Sequence, residues 1–385
     1  MPRLAIRRQF ICIALIAAAF VGGLSAAAGK GNAPPPPLAE TPTPIQIFGV
    51  WHCGNHYCDW NEYIDTREGG AFDLANRWLL HRNAADSTSP PSVNLVVLSF
   101  VNPLKMLDGT DVGLFQRIPR GMTPEVVNYF KSAGIRVMLS IGGITYTDDW
   151  DAALAKNPTQ LGFNAAEVAQ YLGVGIEIDY ENSSSPNLTA LGEFIAAYRS
   201  VHPFDETGGN PAARLTIDVA AGDRWLIALN RHATQYWLRP GIPLDRMSPV
   251  LDYANAMVSG TASGTPTDWQ EHVDGKPQYA PPVPPLAPAR FTGALYLKGN
   301  IANCLNYGAS EQKADATYVQ QVMPNATAFP TEDRYTPGML GYMFWAAGTP
   351  SARRSYVPTT NCTGGMGVAA GTFNVPIPMP PLRQK

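Results

Sequence analysis

Three carboxyl groups stand at alternate positions in the run Val174-Gly175-Ile176-Glu177-Ile178-Asp179-Tyr180-Glu181. Successive side chains of an extended chain point to opposite faces, so Glu177, Asp179 and Glu181 share one face while Ile176 and Ile178 take the other. Carboxyls within a few ångström of one another do not all ionise easily, and a retained, shared proton can keep Glu181 protonated near neutral pH. A protonated carboxyl at a strand end can serve as a general acid. The competing reading is an internal hydrogen-bonded cluster, or a strand cap facing solvent. It must meet the cost of burying unpaired carboxyls with no functional return.

Apolar, β-rich runs alternate with helical stretches along the chain, which is the signature of βαβ units and a parallel sheet. Strands are predicted over residues 45–51, 93–100, 135–141, 174–180, 214–220, 250–258, 294–297 and 340–345. Helices are predicted over 72–82, 123–133, 165–172, 188–200, around 225–229 and over 311–322. Eight strands with no Gly-rich phosphate loop favour a closed barrel over an open doubly wound sheet. The expected fold class is therefore α/β, a single (β/α)8 TIM barrel, with the acids on the inner face of the fourth strand and Glu181 at its C-terminal rim. The proline-laden stretch 281–288 reads as a surface excursion between the sixth and seventh strands.

Arg3, Arg7 and Arg8 precede an apolar run over residues 10–24 and then Ser25-Ala26-Ala27-Ala28, the pattern of a secretory signal peptide cleaved near Ala28. The apolar stretch is short for a membrane span. The Arg7-Arg8 pair also fits a loose twin-arginine signal, so the expected location is secreted or periplasmic by either route. Residues 29–44 form a Pro-rich spacer, 45–374 the barrel domain and 375–385 an irregular tail. The net charge of -3, without a basic cluster in the mature chain, leaves no footprint for nucleic acid or an anionic membrane. Neutral substrates suit such a charge, the chain is expected to act as a monomer, and no metal or organic cofactor is implied. Cys53, Cys58, Cys304 and Cys362 remain after the signal leaves. Two disulfides are the default for exported thiols, with Cys53–Cys58 and Cys304–Cys362 preferred because local loops close cheaply. His52, Cys53, His56 and Cys58 match no standard zinc spacing.

The fourth-strand run resembles the signature D-G-x-D-x-D-x-E of the family 18 glycoside hydrolases, reading here V-G-I-E-I-D-Y-E. The resemblance implies that Glu181 protonates the glycosidic oxygen and that Asp179 orients the substrate's N-acetyl group, whose oxygen attacks the anomeric carbon in this family. Glu177 stands where the family has an Asp, and Val174 replaces the first Asp. Ser140-Ile141-Gly142-Gly143 is similar to the family's S-x-G-G element, where glycine lets backbone approach ligand closely. Asp252-Tyr253-Ala254-Asn255-Ala256-Met257 resembles the sixth-strand element, with Tyr253, Asn255 and Met257 on one face, but Ser259 and Gly260 replace the Tyr and Asp that usually follow. Gly341-Tyr342-Met343-Phe344-Trp345 resembles the eighth-strand ending, whose tryptophan floors the subsite of the reacting sugar. Trp345, Asn255, Met257, Tyr253, Tyr180 and Trp51 are thus the candidate sugar contacts, and Trp150 and Trp225 also fall near strand ends. The resemblance implies a retaining hydrolase cutting β-1,4 linkages of N-acetylglucosamine in chitin or the N-glycan core. Peptidoglycan, another exopolysaccharide or a non-catalytic sugar-binding barrel are the alternatives.

Overall fold

The computed structural model describes residues 46–53, 70–81, 86–111, 113, 116–205, 207–220, 251–257, 265–280, 282–283, 285–286, 288–296, 317–323, 338–345 and 347. The expected signal, the spacer, the tail, the helix around 225–229, Trp225, His56, Cys58, Ser259, Gly260, Cys304 and Cys362 lie outside the described residues. So does the side chain of Cys53.

Eight parallel strands close on themselves in chain order. They are β1 (Ile47–Cys53), β2 (Leu95–Val101), β3 (Arg136–Gly142), β4 (Gly175–Asp179), β5 (Leu215–Val219), β6 (Ala254–Ala256), β7 (Phe291–Tyr296) and β8 (Gly341–Trp345). β8 pairs with β1 through Ile47↔Gly341 and Gly49↔Met343, so no strand edge is left open. The barrel expected from the alternation of strands and helices is the one observed. β6 is shorter than the predicted 250–258, and the reason is Asp252: its carboxylate accepts the Leu215 N–H at 2.7 Å and the guanidinium groups of Arg199 and Arg214. Side-chain chemistry occupies the chain there, and regular strand begins only beyond it.

The helices are α1 (Gly70–Leu80), α2 (Pro103–Asp108), α3 (Pro124–Ser132), α4 (Thr147–Lys156), α5 (Pro158–Leu172), α6 (Leu188–Val201) and α7 (Thr265–Asp274). α2, α4 and α7 were not predicted. α5 runs further back than the predicted 165–172 because Asn157 caps it, accepting from the Gln160 N–H at 2.9 Å, and Pro158 follows at its first position. Its C-terminus stops at Gly173 in the left-handed conformation, two residues before β4 begins. The stretch 281–288 is not a surface excursion throughout. Val283 bridges to Lys276, the Leu286 N–H donates to the His272 carbonyl at 2.8 Å, and both apolar side chains are buried.

Strand alternation divides the interior into two populations. Val96, Leu98, Val137, Leu139, Ile141, Ile176, Ile178, Leu215, Ile217 and Val219 face outward and pack beneath the helices. Each such side chain contributes roughly 1.5–3 kcal/mol by leaving water. Inside the barrel, Ile47, Leu95, Val97, Met138, Tyr253, Ala294, Leu340 and Met343 form a separate apolar plug. Toward the C-terminal ends of the strands that plug gives way to buried polar side chains, and these compose the site.

Candidate active site

β4 presents its acids inward in register with polar neighbours. Glu177 lies opposite Ser140 of β3 and Thr216 of β5, and Asp179 opposite Gly142. Glu177 is fully buried and held by two donors from distant strands: the Trp51 indole N–H reaches Oε1 at 2.8 Å and the Asn255 amide reaches Oε2 at 2.7 Å. Asn255 is itself fixed, since its Oδ1 accepts from the Thr292 hydroxyl at 2.5 Å. Burial pushes Glu177 up to about 7, working against the hydrogen bonds from Trp51 and Asn255, which favour its ionised form.

Asp179 is 3 % exposed, and among the described residues its Oδ1 has no hydrogen-bond partner. Burial first, then the charges of Glu181 and Glu177, hold its carboxyl well above the usual range. A carboxyl so placed resists ionising, and it shares its proton balance with the two acids beside it.

Glu181 follows the end of β4 and is 8 % exposed. The residues on either side of it are tied to one anchor. The Tyr180 hydroxyl donates to Asp151 Oδ1, the Asn182 amide donates to the same carboxylate at 2.9 and 3.1 Å, and Asn182 Oδ1 accepts the backbone N–H groups of Ser184 and Ser185, each at 3.0 Å. Asp151 belongs to α4, so that helix clamps the segment carrying the acid.

A fourth carboxyl completes the cluster. Asp218 of β5 pairs in register with Asn255, is buried, and has an Oδ1 with no hydrogen-bond partner among the described residues. Burial, then the charges of Glu177 and Asp179, raise it well above the ordinary Asp value. Sequence analysis missed Asp218 and Asp151. The parity of Leu215-Thr216-Ile217-Asp218-Val219 was the available signal for the first, since it puts Thr216 and Asp218 on the inner face. A helical aspartate with no motif around it gave no signal for the second.

The glycines at the end of β3 are explained by the protein packed around them. A Cβ on Gly142, whose φ is +119°, would lie 1.9 Å from the Asp179 carbonyl oxygen and 2.3 Å from the Trp150 indole nitrogen. Trp150 donates to the carbonyls of Ile141 and Asp179 at 3.1 and 3.0 Å, stitching β3 to β4 at the rim. Gly142→Ala is expected to cost on the order of 3 kcal/mol, since neither the backbone nor the buried indole can yield; urea unfolding of the variant measures it. Gly143 leaves room for the Phe100 ring, and Phe100 stacks on Trp345 with centroids 5.5 Å apart and planes 27° apart. That half-buried pair makes an aromatic wall at the C-terminal rim.

The sequence of this chain matches no family model and no curated protein. Solved structures do match. The spore cortex-lytic enzyme SleL of Bacillus cereus is 12% identical, with a TM-score of 0.51, over 86% of this chain and 76% of that one. A GH18 chitinase from Pseudoalteromonas aurantia is 13% identical, with a TM-score of 0.46, over 77% and 93%. A chitinase from Chromobacterium violaceum is 13% identical, with a TM-score of 0.42, over 80% and 96%. The chain shares its fold with SleL. Within that barrel, the structure brings Glu177, Asp179, Glu181, Ser140, Asn255 and Trp51 together and sets Trp345 at the rim. Met257 is half-buried just past the end of β6.

Two expected sugar contacts, Tyr180 and Tyr253, stand elsewhere, and so does Trp150, noted only as near a strand end. Tyr180 shares the outward parity of Ile176 and Ile178, is buried against Trp150, and points its hydroxyl at Asp151 and the Asn187 N–H. Tyr253 is buried in the apolar plug, its hydroxyl beside Met138. Trp150 is fully buried. All three are structural because each lies behind or below the layer that carboxylates occupy. His52, considered with the cysteines as a zinc ligand, turns outward and places Nε2 2.6 Å from Asn76 Oδ1 on α1. Trp51 is a candidate contact whose indole N–H is already committed to Glu177. Trp51→Phe keeps an aromatic ring and removes that donor. Because the donor favours ionised Glu177, the loss should be larger at pH 8 than at pH 5, about 1–3 kcal/mol for a charged hydrogen bond; denaturation at the two pH values checks it.

Proposed function

We propose that this chain is an exported, divergent family 18 glycoside hydrolase that cuts β-1,4 linkages next to N-acetylglucosamine. The observation that carries the reading is the inward ladder of β4: Glu177 held by two donors, Asp179 buried beside two further acids, and Glu181 at the rim on a clamped segment. In this reading Glu181 donates its proton to the glycosidic oxygen as the bond to the anomeric carbon breaks. The substrate's acetamido oxygen closes on that carbon, while Asp179 passes its proton to the neighbouring Glu177 and, now a carboxylate, accepts the acetamido N–H and stabilises the oxazolinium charge. Glu181, now a carboxylate, takes a proton from the water that opens the ring, giving net retention. Phe100 and Trp345 offer ring faces to the C–H face of the sugar. Glu177 does not reach the reacting atoms; tied to Trp51 and Asn255, it sets the charge that Asp179 meets.

A second reading keeps the barrel and Glu181 and moves to another polysaccharide, peptidoglycan among them. Ser259 and Gly260, standing where the family has Tyr and Asp, favour keeping it. A panel of chitooligosaccharides, an N-glycosylated protein and peptidoglycan, tested with the purified mature chain, separates the two. Cleavage of either of the first two supports the leading reading, and cleavage of peptidoglycan alone replaces it. Equal sugar binding by the chain and by Glu181→Gln, with nothing cut, points to a binding protein.

A further inference from the structure

At the end of the barrel opposite the acids, the inner face carries arginines. Arg136 opens β3 in register with Leu95, and Arg214 precedes β5. Arg136 is 8 % exposed, and among the described residues its guanidinium has neither a hydrogen bond nor an ion pair. The charge facing it is another cation, Arg214, with the neutral Tyr253 phenol beside both. The carboxylate of that layer is already committed: Asp252 Oδ1 takes Arg214 at 2.5 Å, and Oδ2 takes Arg199 at 2.9 Å and the Leu215 N–H at 2.7 Å. Asp205, which also faces Arg214, spends its oxygens on the turn through Thr207 and Asn210. Arg199 and Arg290 flank the Phe204 ring, 5.6 and 5.8 Å from its centroid. Phe204 and Arg290 are half-buried, so the layer borders solvent.

Among the described residues this layer holds more positive charge than its carboxylates neutralise, and one guanidinium is largely withdrawn from water without a hydrogen bond or ion pair in return. Burial, and then Arg214, pull the Arg136 pKa down to about 9. A buried cation without a partner is strongly disfavoured, and an apolar residue would fill the position at lower cost. A guanidinium offers a planar fork of donors that matches an oxyanion in two places at once. We propose that Arg136, supported by Arg214, binds a small oxyanion of the phosphate or sulfate class at the base of the barrel. The site lies away from the acids and does not depend on the glycosidase reading. Its role is to steady the fold, because a ligand held only by the native state adds to stability by mass action.

The test titrates inorganic phosphate into the purified chain at fixed ionic strength, following heat of binding and thermal unfolding, beside Arg136→Met. Saturable heat with one site, competition by sulfate, and a Tm rise of a few degrees that Arg136→Met loses are the expected results. No saturable heat in the unaltered chain, or the same heat and Tm rise in the variant, overturns the proposal. Should Arg136→Met fail to fold, Arg136→Gln replaces it, and calorimetry on the unaltered chain still decides.

Discussion

Glu181→Gln is expected to lower kcat/KM on whichever glycan is cut by about a hundredfold or more, the scale for removing a positioned general acid. Glutamine matches the shape and cannot supply the proton. The segment stays in place because Tyr180 and Asn182 hold it to Asp151 independently of residue 181, so sugar binding should persist while turnover falls. The substitution also removes one of the charges that raise Asp179. Asp179 then ionises more easily, and the variant should lose less stability than the parent as pH rises. Steady-state kinetics, a sugar-binding titration and thermal unfolding at pH 5 and pH 8 check these together. Retained turnover would remove Glu181 from the chemistry.

Asp218→Asn should stabilise the protein, increasingly so as pH rises. The sign follows from the direction of the shift. Asp218 has a folded-state pKa well above its unfolded value, raised by burial and then by Glu177 and Asp179. Between those two values the native state binds more protons than the unfolded state, so stability falls as pH rises through that window. Asparagine does not titrate and escapes the loss. A gain of about 2 kcal/mol at pH 8, or a Tm rise on the order of 3 °C for a chain of this size, is expected, with little change near pH 4. The same variant should be less active, since a destabilising acid retained among catalytic ones is the usual mark of stability given up for function. Equal Tm values for parent and variant across pH 4–8 would show that Asp218 carries no such burden.

Much of the architecture was legible because a parallel barrel writes itself in alternation. The β4 run announced both its parity and its acids, and the structure keeps the isoleucines outside and the carboxyls within. The same parity rule placed Tyr180 outward, yet position within a motif placed it among the sugar contacts; the parity rule was the better guide. Asp218 was hidden because a single acid in a short strand carries no pattern of its own, and its meaning arises only from Glu177 and Asp179 across the sheet. Trp51 could be seen as an aromatic near a strand end, but nothing local shows that its N–H crosses to a carboxylate 126 positions later. The helices α2 and α4 escaped because each is short and sits inside a β-to-α connection, where periodicity has few turns in which to show.

The donors to Glu177 come from β1 and from β6, so the fourth strand cannot complete its own environment. A fragment ending after β4 would include Trp51 and Glu177 yet lack Asn255, and one beginning at β5 would hold Asn255 without Trp51 or Glu177. Neither half of such a barrel inherits a working portion of the centre. Ancestry by doubling of half-barrels, or engineering by splicing halves from different enzymes, would have to preserve or rebuild this contact between halves. For this chain the sensible unit of exchange is the closed ring of eight strands.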